Sequence, residues 1–126
     1  MKIGKITPNG VSLEKHENDT VVFFTNLGLN IELIPPSNTP KAKTPDFMMC
    51  GKAWEMKSPQ GKSRVTIEHA FKRAAKQSEN IVIDLRRTKI STNESRSSLD
   101  KLFKASRRVK NLKIITREQD LLDLKK

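Results

Sequence analysis

The run Asn-Ile-Val-Ile-Asp-Leu-Arg at residues 80–86 restricts the fold of this chain more than any other segment. It is nearly continuous in apolar, β-branched residues, which is typical of a central strand buried on both faces of a sheet. On either side of it, over about 63–78 and 97–108, apolar residues recur at helical spacing among charged ones. A buried strand between two amphipathic helices predicts an α/β domain whose helices pack on the sheet.

The rest of the chain extends this sheet. We predict a helix from Ser12, as its N-cap, to about Leu27. Further strands are predicted at 30–34, 46–49, 52–58 and 112–116, with a short last strand at 121–124. The predicted fold is a small mixed β-sheet flanked by helices, in the order αβββαβαβ. The length of 126 residues fits one domain spanning 1–126.

The first ten residues carry weak structural signals. Pro8, Asn9 and Gly10 interrupt any helical or strand pattern, and chain termini fray. Residues 1–10 are therefore predicted to be loosely ordered. They show no apolar segment of the kind that a signal peptide requires.

Cys50 and Gly51 separate two short strand patterns and predict a hairpin. If these two residues form the turn, Asp46 lies opposite Glu55. If the turn shifts by one residue along the chain, Asp46 lies opposite Lys57. Because side chains alternate along a strand, Glu55 and Lys57 share a face in either case. Both registers therefore group two carboxylates and one ammonium.

Two opposed carboxylates repel each other in a sheet unless something neutralises them. Mg²⁺ or Mn²⁺ would do so, because both ions accept oxygen ligands, and we predict that Asp46 and Glu55 bind one. Such a cation lowers the pKa of a bound water and neutralises charge on a reacting phosphate. Lys57 would orient or activate the attacking water. The alternative is a surface hairpin whose ion pairs are each worth under ~1 kcal/mol.

The charge of the chain is +11 and is concentrated in its second half. Residues 61–126 contain 18 Lys and Arg against 8 Asp and Glu. This asymmetry favours nucleic acid as the partner over an anionic membrane or an acidic protein. Lys104 and Arg108, on the last predicted helix, are the candidates for contact with a nucleic-acid backbone. No window approaches the ~18 apolar residues of a membrane span, so none is predicted.

Four further residues are candidates for substrate binding. Ser58 and Lys62 belong to a loop with Gly and Ser that opens a helix, an arrangement that can bind phosphate through backbone N–H groups. Lys76 and Gln77 end that helix near the sheet and could touch the substrate backbone. A plain turn and a solvated helix face are the alternatives.

Other polar residues received structural interpretations. Asp84 is expected to pair with Arg86 or Arg87 rather than to bind a metal. His16 and His69 have no neighbouring pattern that marks a general base. The single cysteine excludes an internal disulfide and a cysteine-built zinc site.

The dipeptide Pro-Asp at 45–46 and the tripeptide Glu-Met-Lys at 55–57, on a hairpin that follows a helix, resemble the PD-(D/E)XK nuclease superfamily. In that superfamily the acids bind the metal ion and the lysine assists the attack. Many members add a glutamate from the preceding helix. The resemblance implies that Glu17 has this catalytic role, with Glu14 as the substitute. Glu17 fits equally well as an acid that compensates the helix dipole.

A closer resemblance covers roughly residues 13–124. The runs PDFMMCGKAWEMKSPQGKS, FKRAAKQSENIVIDLRR and LGLNIELIPP are similar to C-terminal toxin domains of contact-dependent growth inhibition and related polymorphic toxins. Toxins with this pattern are mainly transfer-RNA nucleases. The resemblance implies delivery from a producing bacterium, action in the cytoplasm of the target cell, and neutralisation by a cognate immunity protein. The basic surface predicts that this partner is acidic.

The predicted function is therefore a metal-dependent endonuclease toxin that cleaves phosphodiester bonds, with transfer RNA as the expected substrate. Two alternatives stay open from the residues. One is a metal-independent toxin ribonuclease, and the other is a non-catalytic nucleic-acid-binding module. The acidic hairpin argues against binding alone, because two acids weaken contact with phosphates unless a metal ion is present.

Overall fold

A computed structural model describes residues 2–39 and 44–126 of the chain. The elements are β1 (Ile6–Thr7), α1 (Lys15–Asn26), β2 (Ile31–Leu33), β3 (Phe47–Met49), β4 (Lys52–Lys57), α2 (Arg64–Gln77), β5 (Asn80–Asp84), α3 (Thr92–Ala105), β6 (Asn111–Ile115) and β7 (Leu121–Lys125). Within the described residues, seven strands form one sheet in the order β1 to β7. The prediction of an α/β fold with a mixed sheet is confirmed.

The directions of the strands divide the sheet into two parts. Strands β2, β3 and β4 form an antiparallel meander, whereas β4, β5 and β6 run parallel to one another. Strand β7 is antiparallel to β6 at one edge, and β1 is parallel to β2 at the other. The carboxyl ends of β4, β5 and β6 therefore meet at the same edge of the sheet.

Helices cover both faces of the sheet. One face packs against α2 and α3, around Ile81, Ile83, Leu112 and Ile114. The other packs against α1, around Phe47, Trp54, Met56, Val82 and Ile115. Strand β5 is buried along its whole length, as its apolar sequence predicts. In the described part of the chain, no helix has the length and apolar character needed to cross a membrane.

The amino-terminal segment differs from its prediction, because Ile6–Thr7 form β1 instead of part of a loose tail. The pairing of Ile6 with Ile31 depends on a close approach between Gly4 and Leu29. A Cβ on Gly4 would lie 1.9 Å from the carbonyl oxygen of Leu29, so only glycine fits. The predicted order αβββαβαβ therefore lacks this first strand, and it also leaves out β7, which corresponds to the short last strand predicted at 121–124.

Two helix starts also differ from the prediction. Helix α1 is capped by Glu14 rather than Ser12, and the Glu14 N–H donates to Glu17 Oε1 at 3.0 Å. Helix α3 begins at Thr92, five residues before the predicted start at 97. Its N-cap is Ser91, whose hydroxyl accepts from the N–H of Glu94. The intervening residues are mostly polar, so apolar periodicity does not show this first part of α3.

Candidate functional site

The hairpin turn determines which side chains meet. Cys50 and Gly51 both have positive φ angles, 53° and 75°, as a two-residue turn that matches the twist of its strands requires. Phe47 then pairs with Trp54, which confirms the first of the two predicted registers. Trp54 packs in the α1 core, so the alternation of β4 turns Glu55 toward the α2 face.

Asp46 forms hydrogen bonds with the backbone of the two residues that flank Glu55 on β4. Its N–H donates to the carbonyl oxygen of Trp54 at 2.9 Å, and its Oδ2 accepts from the N–H of Met56 at 2.8 Å. These two bonds place the Asp46 and Glu55 carboxyl groups close enough for each to change the pKa of the other. The predicted pair of acids is therefore formed by main-chain contacts.

Glu55 is buried, with 5% of its surface exposed, and only half of its carboxylate has a partner. Its Oε2 lies 3.3 Å from Lys57 Nζ, whereas its buried Oε1 has no hydrogen-bond partner. Burial, and then the charge of Asp46, raise the pKa of Glu55 to about 7, although Lys57 opposes this. Burial also raises the pKa of Asp46, against the hydrogen bond from Met56.

A divalent cation fits this pair chemically. Its charge would bind the unpartnered Oε1 of Glu55 and compensate the burial that raises the pKa of both acids, as well as the repulsion from Asp46 that further raises the pKa of Glu55. Among residues 2–39 and 44–126, no group of three or more His, Cys, Asp or Glu could hold a metal ion. The chain therefore offers two carboxylates, and water or substrate would complete the coordination, as is usual for Mg²⁺.

Two cavities adjoin at the Glu55–Lys57 ion pair. One, of about 370 Å³, lies where β4 ends between α1 and α2, and Lys57 and Glu17 line it. The other, of about 310 Å³, is lined by Asp46, Glu55 and Gln77 together with the segment after β2. The two cavities share no lining residue, but the Glu55–Lys57 ion pair joins one residue from each, and we call the two together the groove.

Comparison with known proteins gives the context of this groove. The sequence profile of the contact-dependent growth inhibition CdiA C-terminal domain matches residues 43–121, which is more than half of the chain. The chain belongs to this family. The prediction of a toxin domain of this class is thereby confirmed in its general form.

The fold is also found in a solved relative of this CdiA C-terminal domain. A chain of the CdiA-CT/CdiI toxin and immunity complex from Burkholderia pseudomallei superposes with a TM-score of 0.74. The match covers 98% of this chain and 100% of that chain at 16% identity. At this identity the likeness concerns the fold. A comparison with proteins of curated function finds no match.

Glu17 lines the cavity beside Lys57, and its charge contributes to the raised pKa of Asp46. Its Oε1 also accepts from the N–H of Glu14 and so caps α1. Glu17 therefore faces the site while it caps the N-terminus of α1. In the described residues it does not form a group of three metal ligands with Asp46 and Glu55. Its catalytic role stays a prediction.

The structure brings Ser58 and Gln77 to the groove of this domain. Ser58 lines the cavity of Lys57, and Gln77 lines the cavity of Asp46 and Glu55. Lys62, in the loop before α2, is exposed and lines neither cavity.

The other predicted substrate contacts lie further away. Arg108 donates to the carbonyl oxygen of Lys76 at 3.5 Å, so both residues lie at the end of α2, next to Gln77. Lys104 forms an ion pair of 2.9 Å with Asp100, beside the end of β7. Substrate binding by these residues stays a prediction.

Three ionisable residues of the groove are not among the site residues predicted from the sequence. His16, His69 and Arg73 line the same cavity as Lys57. His69, Arg73 and Gln77 are spaced by four residues on α2, so they form a line beside its buried stripe. That spacing is visible in the sequence, but only the packing of α2 over β4 gives it meaning.

Proposed function

We propose that this domain is a metal-dependent endoribonuclease of the PD-(D/E)XK type that acts as an antibacterial toxin. The observation that carries the proposal is the buried Glu55 beside the half-buried Asp46, with an unpartnered Oε1 and a pKa of about 7 at Glu55. A buried acid without compensation costs free energy, and perturbed acids in a groove are typical of functional sites.

Asp46 and Glu55 would hold the cation, Mg²⁺ or Mn²⁺. When bound, such an ion neutralises charge on a phosphate and lowers the pKa of a coordinated water. The hydrogen bond from the Met56 N–H keeps one oxygen of Asp46 in place, which fixes the direction of the other.

Lys57 would act on the substrate side of the pair. Its ammonium is anchored by Glu55 at 3.3 Å, while about a third of its side chain is exposed toward the cavity. It can therefore orient a water or stabilise charge on the phosphate without leaving its ion pair.

Transfer RNA is the proposed substrate, because toxins that share this sequence pattern are mainly transfer-RNA nucleases. The basic second half of the chain supports a polyanionic substrate in general. The toxin would be delivered into a neighbouring bacterium and act in its cytoplasm.

An acidic immunity protein is the proposed partner. The surface that it must cover is basic, so complementary charge would speed association and exclude wrong partners. The solved relative belongs to a toxin and immunity complex, which supports a partner of this kind. We propose that it covers part of residues 61–126 and blocks the groove near Lys57.

A metal-independent toxin ribonuclease is the second candidate. Two histidines, His16 and His69, line the cavity of Lys57, and histidines are the commonest general acids and bases. This function would require neither Asp46 nor Glu55 to bind a cation.

Cleavage of total RNA and plasmid DNA, each with Mg²⁺, Mn²⁺ or EDTA, separates the two candidates. RNA cleavage that EDTA abolishes is expected for the proposed enzyme. Cleavage that persists in EDTA and is lost in His69→Ala would favour the second candidate. Binding of RNA without cleavage under all three conditions would contradict both.

A further inference from the structure

A third cavity, of about 290 Å³, lies at the carboxyl ends of the parallel strands. Ser58 follows β4, Arg86 and Arg87 follow β5, and Gln119 follows β6. In open α/β sheets, ligands bind at the carboxyl ends of parallel strands. The position of this cavity is therefore one where a ligand is expected.

The charges around this cavity leave one cation without an acidic partner. Arg86 is neutralised by Asp84 at 2.8 Å, and Asp19, on the α1 side, is neutralised by Lys15 at 3.0 Å. Arg87 donates to the side-chain oxygen of Gln60 at 2.6 Å, which is a neutral group. Asp19 and Asp84 also line the cavity, but in the described part of the chain Arg87 forms no ion pair, so its charge is available to an anion there.

The backbone next to Arg87 is joined to the loop that carries Gln60, the hydrogen-bond partner of its guanidinium. The Lys89 N–H donates to the carbonyl oxygen of Gly61 at 2.8 Å, and the Thr88 hydroxyl donates to the same oxygen at 3.1 Å. These bonds join the segment after β5 to the loop that carries Gln60. The backbone beside Arg87 is thus fixed before any ligand arrives, and the bond to Gln60 restricts the guanidinium, which lowers the entropic cost of binding.

This cavity continues into the one that contains Lys57. Ser58 and His16 line both of them. A strand whose phosphate lies at Lys57 can therefore extend past Ser58 toward Arg87. Arginine suits such a position because its planar N–H groups bind phosphate oxygens in pairs.

We propose that Arg87 forms a second phosphate subsite, which binds a backbone phosphate that neighbours the cleaved one. The proposal rests on the proposed function, since it assumes a nucleic-acid strand in the groove. It assigns Arg87 to substrate positioning rather than to the chemical step.

The test compares Arg87→Gln with Arg96→Gln, which removes the same charge from an exposed position on α3 that lines none of the three cavities. Binding of a short single-stranded RNA is measured by fluorescence anisotropy in EDTA over a range of salt concentrations. One lost phosphate contact reduces the slope of log affinity against log salt by about 0.7. We expect this reduction in Arg87→Gln and not in Arg96→Gln.

Oligonucleotides with one neutral methylphosphonate linkage locate the contact. The wild type should bind more weakly to the oligonucleotide whose neutral linkage lies next to the cleaved one. In Arg87→Gln, a neutral linkage at that position alone should no longer weaken binding. Equal slopes in both variants would overturn the subsite. Unchanged RNA binding with weaker binding of the immunity protein would also overturn it, because Arg87 would then belong to a protein interface.

The outcomes separate the subsite from the proposed function. If the wild type cleaves RNA with Mg²⁺ but Arg87→Gln matches its control in binding, only the subsite fails. If no cleavage occurs but the slope falls in Arg87→Gln, the nuclease fails and Arg87 remains only as a contact to the nucleic-acid backbone.

Discussion

Two buried carboxylates in this domain have opposite surroundings. Asp84, with 2% of its surface exposed, accepts hydrogen bonds from the Thr20 hydroxyl at 2.6 Å and from the Arg86 guanidinium at 2.8 and 3.0 Å. Glu55 is almost as buried but leaves one oxygen without a partner.

The difference indicates a structural role for Asp84 and makes Glu55 a candidate for binding. Asp84 is matched by its own chain, and its hydrogen bonds raise the pKa of Arg86, so the pair fastens α1 to the end of β5. Glu55 is matched only in part, and its pKa is raised to about 7. A buried carboxylate that lacks a hydrogen-bond partner within the fold is a candidate site for a ligand or a metal ion.

The largest effect is expected for Glu55→Gln. This change keeps the shape of the side chain but removes a proposed metal ligand, so RNA cleavage should fall at least ~100-fold. The fold should persist, because Lys57, the ion-pair partner of Glu55, is about a third exposed and keeps contact with water when the acid is lost. Cleavage assays and thermal unfolding check both statements.

Glu79→Gln, at an exposed position, is the matched control for Glu55→Gln. Both variants should unfold near the wild-type temperature, and only Glu55→Gln should lose activity. Full activity in Glu55→Gln would contradict the assignment of the site.

Asp84→Asn, in contrast to Glu55→Gln, should reduce stability. It leaves the half-buried Arg86 without its counter-charge, and since removing one partner of a fully buried pair costs about 3–5 kcal/mol, we expect a loss toward the lower end of that range. Denaturant unfolding measures this loss. Combined with Arg86→Gln, the cost should be smaller than the sum of the two single changes. Additive costs would show that the pair does not act as a unit.

Cation binding sharpens the comparison between the two acids. Mn²⁺ or Mg²⁺ that binds the folded state stabilises it by about 2.7 kcal/mol at a hundred times Kd. We expect a rise in Tm for the wild type at pH 8 and none for Asp46→Asn. Lys57→Ala should keep the rise while it loses activity. A metal-dependent rise that survives Asp46→Asn would place the cation elsewhere.

The raised pKa of Glu55 should make the stability of the protein depend on pH. The pKa of Glu55 lies near 7 in the folded state, above its ordinary value of 4.5, so the folded state binds more protons between these values. Without metal, the free energy of unfolding should therefore fall as pH rises from about 4.5 to 7. The raised pKa of Asp46 acts in the same direction.

Glu55→Gln serves as the control for this pH dependence, since it removes the titrating group. Its stability should change less over the same pH range, as followed by urea unfolding. An unfolding free energy that rises with pH in the wild type but not in the variant would mean that the pKa is lowered instead.

The sequence predicts the surroundings of Glu55 better than those of Asp84. The turn at Cys50 and Gly51 determines the register of the hairpin, so the pairing of Asp46 with Glu55 follows from local chemistry. The partner of Asp84 stayed open between Arg86 and Arg87, because it depends on the turn after β5. Thr20 as a third member has no sequence signal, since α1 and β5 meet only in the folded chain.

The same reason explains the other missing parts. Strand β1 has only two residues and depends on the contact of Gly4 with Leu29, which no periodicity reveals. His69 and Arg73 reach the groove because α2 packs antiparallel across β4. Local patterns therefore predict the elements and the hairpin, whereas tertiary packing decides which helix residues line the site.

The smallest effect is expected for Thr20→Val, which makes Asp84 resemble Glu55 by removing one of its partners. A hydrogen bond to a charged group is worth about 1.5–3 kcal/mol, and the guanidinium of Arg86 remains, so the loss should be smaller than in Asp84→Asn. Asp84 should still bind no cation, because Arg86 continues to occupy both of its oxygens. Denaturant unfolding with and without Mn²⁺ measures both quantities. If Thr20→Val creates a metal-dependent rise in stability that persists when combined with Asp46→Asn, then an unpartnered oxygen alone is enough to recruit a cation, and the arginine is not what distinguishes the two acids.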